Sequence, residues 1–160
     1  MAIIDGKKTA EALRETIRIE TEKRVHQYGI TPHLCVILVG NNPASESYVR
    51  GKEKACLKAG IQSTVLRLPE TIDQASLRRI VQELNDDVSV HGILLQLPIP
   101  AHLDSEELIQ LISPKKDVDG FTPTSVATLA NGQSGLVPCT PKGVIQLLET
   151  YDIPIQGKEC

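Results

Sequence analysis

Tyr48 and Lys52 stand four residues apart in Tyr48-Val49-Arg50-Gly51-Lys52. On a helix that spacing stacks two side chains on one face, about 5–6 Å apart at Cβ, so a phenol and an ammonium can address one ligand. A solvated helix face offers the same pair by chance, and the spacing alone does not choose between them. Gln96, in Leu94-Leu95-Gln96-Leu97-Pro98-Ile99-Pro100, makes a different demand. An amide closing an apolar run must find partners, because burying it unsatisfied costs on the order of 1–3 kcal/mol. The prolines after it donate nothing, which leaves that end open to a ligand or to a loop that the glutamine merely pins.

The third candidate is the loop Lys115-Lys116-Asp117-Val118-Asp119-Gly120-Phe121. Gly120 permits a turn closed to other residues, so one of the two acids flanking Val118 can be aimed inward, and Asp119 is the better choice. A carboxylate accepts two parallel N–H donors, the pattern of a guanidinium or of the amino-pyrimidinone edge of a pterin. The competing reading is a turn carboxylate that caps local backbone. Pro138-Cys139-Thr140-Pro141-Lys142-Gly143 reads chiefly as a helix start, with Thr140 as N-cap and Pro141 in the first helical position. Cys139 is explained as well by packing as by nucleophilic chemistry, since no histidine base adjoins it.

The elements that must position these groups follow from periodicity. Asp5 caps a helix running to about Tyr28, with Ala10, Leu13, Ile17 and Val25 near helical spacing and Gly29 as its stop. His33 to Val39 is a short apolar run suited to a strand covered on both faces. Gly40-Asn41-Asn42-Pro43 turns into a helix over Ala44 to Ala59, closed by Gly60, and Gln62 to Leu68 is the next strand, ended by Pro69. Asp73 caps a helix carrying Leu77, Ile80, Val81 and Leu84, and Val90 to Leu97 is a third strand. Asp104, with Glu107 three residues on, starts another helix, and a loop from Ser113 to Phe121 leads to a short helical piece at Ser125 to Ala130. Strands separated by single helices require a parallel sheet. The fold class is therefore α/β: a small open three-layer α/β/α domain with a mainly parallel sheet, in which ligands are expected outside the carboxyl ends of the strands.

Composition narrows the chemistry further. The 160 residues carry a formal charge of −3 and 2% aromatics, which offers neither the positive field nor the stacking platforms that nucleic acid rewards. No apolar run reaches the roughly 20 residues that span a bilayer, so no membrane partner is expected. Cys35, Cys56, Cys139 and Cys160 form no C-x-x-C pair, and His26, His33, His91 and His102 share no ligand spacing. Free thiols, no metal and a reducing, cytoplasmic setting are the expectation, and Met1-Ala2-Ile3-Ile4-Asp5 lacks the pattern of a signal peptide.

Taken together, Tyr48-Val49-Arg50-Gly51-Lys52, Gln96-Leu97-Pro98-Ile99-Pro100, Lys116-Asp117-Val118-Asp119-Gly120-Phe121 and Pro138-Cys139-Thr140-Pro141-Lys142-Gly143 resemble the bifunctional methylenetetrahydrofolate dehydrogenase/methenyltetrahydrofolate cyclohydrolase family. The likeness extends to Ile3-Ile4-Asp5-Gly6, Leu38-Val39-Gly40 and Pro43-Ala44-Ser45. It implies an amino-acid-dehydrogenase-like N-terminal domain over 1–150 that binds folate. Residues 151–160 would then start the linker to an absent C-terminal NADP-binding Rossmann domain. It also implies that Lys52 is the catalytic lysine, that Tyr48 orients the folate, that Gln96 sits against Lys52 and substrate, and that Asp119 anchors the pterin. Leu95 and Leu97 would line the same site, partly through backbone.

The family interconverts 5,10-methylene-, 5,10-methenyl- and 10-formyl-tetrahydrofolate in one-carbon metabolism, with NADP as oxidant, and pairs as a homodimer largely through the missing part. No G-x-G-x-x-G follows a strand here, so no cofactor is expected on this stretch. Two other readings stand beside it: a non-catalytic α/β module that binds folate or another pterin, and the substrate domain of an amino-acid-dehydrogenase-like enzyme, which needs no acid placed for a pterin.

Overall fold

A computed structural model describes residues 3–159. Helix α1 (Gly6–Tyr28) begins where the Asp5 carboxylate accepts the Lys8 N–H at 2.9 Å and ends at Gly29 in the left-handed region. Strand β1 (His33–Val39) follows, then α2 (Pro43–Lys58), β2 (Gln62–Leu68), α3 (Gln74–Asp86), β3 (Gly92–Leu95), α4 (Ser105–Leu111), α5 (Pro123–Ala130) and α6 (Cys139–Thr150). The three strands form one parallel sheet in the order β2-β1-β3, with β1 central.

Alternation along β1 divides the core between the two faces of the sheet, because successive side chains of a strand point oppositely. Cys35, Ile37 and Val39 pack with Leu77 and Val81 of α3 and Leu108 of α4. Val36 and Leu38 pack on the other face against Val49 of α2 and Leu94 of β3. This is the three-layer α/β/α arrangement that the strand and helix rhythm predicts. The interior is almost wholly aliphatic, as a sequence without Trp and with one Phe requires.

The structure corrects several boundaries. The third strand is shorter than Val90 to Leu97. Val90 closes a turn onto Asp87, its N–H donating to that carbonyl at 3.1 Å, and Pro98 has no N–H to continue the ladder. Helix α2 starts one residue early, at Pro43, with the Asn42 side chain accepting the Ala44 and Ser45 N–H groups. At α4 the Asp104 carboxylate accepts the Glu107 N–H, but Glu107 does not reach back to Asp104. Gln74 takes that role, accepting the Asp104 N–H at 3.0 Å, while Glu107 binds the Gln74 amide and Arg78.

Helix α6 also begins earlier than predicted, at Cys139, after Pro138 and without a side-chain cap, so Thr140 lies inside the first turn and is not its N-cap. A proline is tolerated anywhere in the first turn, where N–H groups lack helical partners, and Pro141 therefore fixes the start only to within a turn. Of the expected thiols, Cys35 and Cys56 are buried, Cys139 is exposed, all three are free, and Cys160 lies outside the described residues.

Candidate functional site

Helix α2 lays one face on the sheet through Ser45, Val49 and Cys56, all buried. Lys52 falls on that face, one turn after Val49, and its stem runs beneath the helix toward the end of β3. There Gln96, the residue just past the strand, is held by its own N–H donating to the Ile37 carbonyl at 2.9 Å. The Lys52 Nζ donates to Gln96 Oε1 at 2.9 Å, and Gln96 Nε2 donates to the Leu97 carbonyl at 2.7 Å. Both ends of the amide are thus engaged, and its oxygen orients an ammonium that comes from 44 residues away.

Lys52 and Asp119 line the same cavity, of about 560 Å³. Asp119 accepts no hydrogen bond from the described residues. Burial pushes its carboxyl above the usual carboxylate range, the Lys52 ammonium pulls it down, and the Asp117 charge adds to the rise. An acid that faces a cavity with no hydrogen-bond partner among the described residues has its acceptor capacity available to N–H donors.

The two readings of the glycine-turn acids divide between the two residues. Asp117 is the cap: it is 2% exposed, and its Oδ2 accepts the Thr122 N–H at 2.8 Å and the Ser125 hydroxyl at 2.7 Å. Burial alone would raise its carboxyl, and these donors outweigh that and hold it below the usual range. Gly120, with φ of +68°, sits 2.9 Å from the Val137 carbonyl carbon at the place where a Cβ would be. That close approach brings the start of α6 to the cavity, which Cys139 and Thr140 complete.

The structure does not gather every predicted residue. The Tyr48 side chain is 68% exposed and is not part of the cavity wall. Leu95 points to the opposite face of the sheet, into the core with Leu77 and Leu108, so only its backbone can face a ligand. Leu97 is 38% exposed and meets the site through its carbonyl.

The cavity does not lie outside the carboxyl ends of the strands, where the fold class predicts a ligand: it runs along the sheet toward their amino ends, to Pro32, His33 and His91, and Gln96 is not part of its wall. Lys52, Ala55 and Cys56 of α2 line it from above, and the space beside Gly92 is filled by Val118, whose Cγ1 stands 2.6 Å from where a Cβ would be. Leu34, Leu94 and Val118 form its apolar floor. The period-2 alternation of β1 could have indicated that floor, since Leu34 shares a face with Val36 and Leu38.

Residues 4–119 match the family model described as the tetrahydrofolate dehydrogenase/cyclohydrolase catalytic domain. The chain belongs to this family. It is 49% identical over 158 residues to the bifunctional protein FolD of Oceanobacillus iheyensis, covering 99% of this chain and 55% of that one. Against the bifunctional protein FolD of Methanosarcina barkeri it is 48% identical, over 98% of this chain and 54% of the relative.

Among solved structures, the Campylobacter jejuni bifunctional FolD enzyme superposes with a TM-score of 0.95 at 45% identity, over 99% of this chain and 56% of the other. The Trypanosoma brucei dehydrogenase-cyclohydrolase, solved with NADP and an inhibitor, superposes with a TM-score of 0.93 at 34% identity, over 98% and 54% of the two chains. This member of the tetrahydrofolate dehydrogenase/cyclohydrolase family therefore spans about half the length of the relatives it matches.

Proposed function

We propose that this chain is the folate-binding, substrate-side half of a cytoplasmic enzyme of one-carbon metabolism. The whole protein oxidises 5,10-methylene-tetrahydrofolate to the 5,10-methenyl form with NADP and hydrolyses that product to 10-formyl-tetrahydrofolate. In this reading residues 1–150 form the catalytic domain and 151–160 lead toward a cofactor-binding domain of a longer, homodimeric protein. The observation that carries it is that Lys52, hydrogen-bonded to Gln96, lines one cavity with Asp119.

Hydrolysis requires a base for the attacking water and an acid for the departing nitrogen. Water adds to the methenyl carbon while the Lys52 amine takes its proton. The ammonium so formed then returns that proton to the ring nitrogen as the carbon–nitrogen bond breaks, the carbinol hydroxyl gives its own proton to solvent as the C=O forms, and the formyl group stays on N10. Gln96 holds the amine in line, and Asp119 accepts paired N–H donors from the pterin edge. Leu97, through its carbonyl, and the Leu95 backbone border the site, and the exposed Tyr48 ring at its rim covers the bound folate. Positioned acid–base catalysis of this kind is commonly worth about 10²–10⁴ in rate.

The helix starts that follow the three strands do not fit a dinucleotide. The turns after β1, β2 and β3 lead into helices whose first N–H groups are already taken by Asn42, Asp73 and Asp104, where a pyrophosphate would need them free. NADP is accordingly assigned to the part of the longer protein that this chain does not span, and no step here runs through it.

The test is Lys52→Met in the full-length protein, with methenyl hydrolysis followed by loss of its absorbance. Hydrolysis is expected to fall by at least about a hundredfold with the fold intact. An unchanged rate would remove Lys52 from the mechanism, and folate binding without hydrolysis in the unmutated protein would make this a binding module.

A further inference from the structure

We propose that Asp117 is a positioning residue of this site: its buried carboxylate holds the Thr122 N–H and the Ser125 hydroxyl, and so fixes the turn that delivers Asp119 to the cavity beside Lys52. The proposal rests on the reading of Asp119 as the acceptor for the pterin.

The segment Val118–Phe121 is tethered at both ends. On one side Asp117 bridges to Ile93 of β3, and the Ile93 N–H donates to the Lys116 carbonyl at 2.8 Å. On the other, the Asp117 carboxylate grips the first turn of α5. The grip is a closed network: the Thr122 hydroxyl accepts the Ser125 N–H and donates to the Ser125 Oγ, and the Ser125 hydroxyl donates to Asp117. Between these anchors the Gly120 N–H donates back to the Asp117 carbonyl at 3.2 Å. The backbone that carries Asp119 is therefore determined from both sides by one residue.

Asp117 also acts on Asp119 by charge. Its donors are neutral, and the neighbouring Lys116 ammonium is spent on the Leu84, Asn85 and Asp87 carbonyls at the end of α3. The negative charge of Asp117 therefore persists two residues from Asp119. The other titratable groups sharing the cavity with Asp119 are Lys52 and Cys56 from α2, His33 from β1, His91 ahead of β3 and Cys139 from α6. Against the pull of Lys52, burial first and Asp117 second hold the Asp119 carboxyl up.

The test titrates this chain with 5-formyl-tetrahydrofolate across pH, in the wild type and in Asp117→Asn and Ser125→Ala. Asparagine keeps the shape but offers the Thr122 N–H and the Ser125 hydroxyl only a neutral oxygen, so it loosens the grip on the turn as well as removing the charge. Affinity at neutral pH is expected to fall about tenfold or more. The loss of binding on acidification should also move to lower pH than in the wild type, because Asp119 gives up its proton more readily without the second charge. Ser125→Ala should weaken binding less and leave the pH profile in place.

Wild-type affinity and an unshifted profile in Asp117→Asn would overturn the assignment. So would a loss of affinity that only tracks thermal stability, with no change in the profile. Should Asp117→Asn fail to fold, Ser125→Ala decides, and unchanged affinity there refutes the tether. Absence of binding by the wild-type chain would overturn the reading of the cavity itself, and this assignment with it.

Discussion

Gly120→Ala is the substitution whose cost can be worked most directly from the coordinates. At a φ of +68° an L side chain pays roughly 1–2 kcal/mol of left-handed strain. The added Cβ would stand 2.9 Å from the Val137 carbonyl carbon, 3.0 Å from the Pro138 nitrogen and 3.1 Å from Pro138 Cδ. Those neighbours are backbone and a proline ring, which cannot rotate away, so overpacking adds roughly 1–3 kcal/mol. The sum is about 2–5 kcal/mol, a large share of the roughly 5–15 kcal/mol that holds a domain of this size together.

Gly132→Ala is the matched control, with φ of +66° and nothing within 4 Å of its would-be Cβ, so it carries the strain without the clash. Urea unfolding followed by circular dichroism separates the two. With a slope near 2 kcal/mol/M, the midpoint should drop by roughly 1–2.5 M for Gly120→Ala and by less than about 1 M for Gly132→Ala. Relief by separating the loop from Val137–Pro138 would appear as lost folate affinity, since Asp119 adjoins Gly120. Equal midpoints for the two variants, with folate affinity unchanged in both, would refute the claim that close approach at Gly120 builds the site.

Asp119→Asn should dissociate binding from stability. Because burial raises this carboxyl in the fold, its ionised form costs stability at neutral pH, and that cost disappears as pH falls through the raised value. The melting temperature of the asparagine variant at neutral pH should equal or exceed that of the wild type while folate affinity falls, and an equal loss in both would return Asp119 to a backbone-capping role. In a Cys160→Ser background a maleimide should label Cys139 rapidly and leave Cys35 and Cys56 unreacted, since burial raises both of those thiols. Bound folate should slow the labelling of Cys139, because that residue lines the cavity, and mass spectrometry of the labelled peptides reads both outcomes.

Most of the fold was legible because local rules agree with the tertiary arrangement. Asp5, Asp73 and Asp104 each place an acceptor where a helix needs one, and His33–Val39 is apolar at every interior position because both of its faces are covered. Legibility failed where a tertiary partner replaced a local one. The capping box expected at Asp104 and Glu107 gave way to Gln74, which comes from another helix 30 residues away. The stripe Leu13 and Ile17 on α1 reads as a buried face, yet both side chains remain more than a third exposed and Thr21 is the buried residue of that helix. Periodicity reports that a face is apolar, and only the packing decides how much of it is covered.

The site shows the same limit more sharply. In an extended segment residues two apart point the same way, so the types of Asp117 and Asp119 do not separate a cap from a ligand, and only the glycine directly after Asp119 favours it. What separates them is where the turn begins: the Gly120 N–H closes onto the Asp117 carbonyl, which ends the extended register between the two acids. One carboxylate then meets the donors at the start of α5 and is held low, while the other meets a cavity and a lysine and is pushed up. Two identical side chains two positions apart thus acquire opposite electrostatic characters from a single reversal of the chain. The acid proposed to receive the pterin is the one left without a hydrogen-bond partner among the described residues.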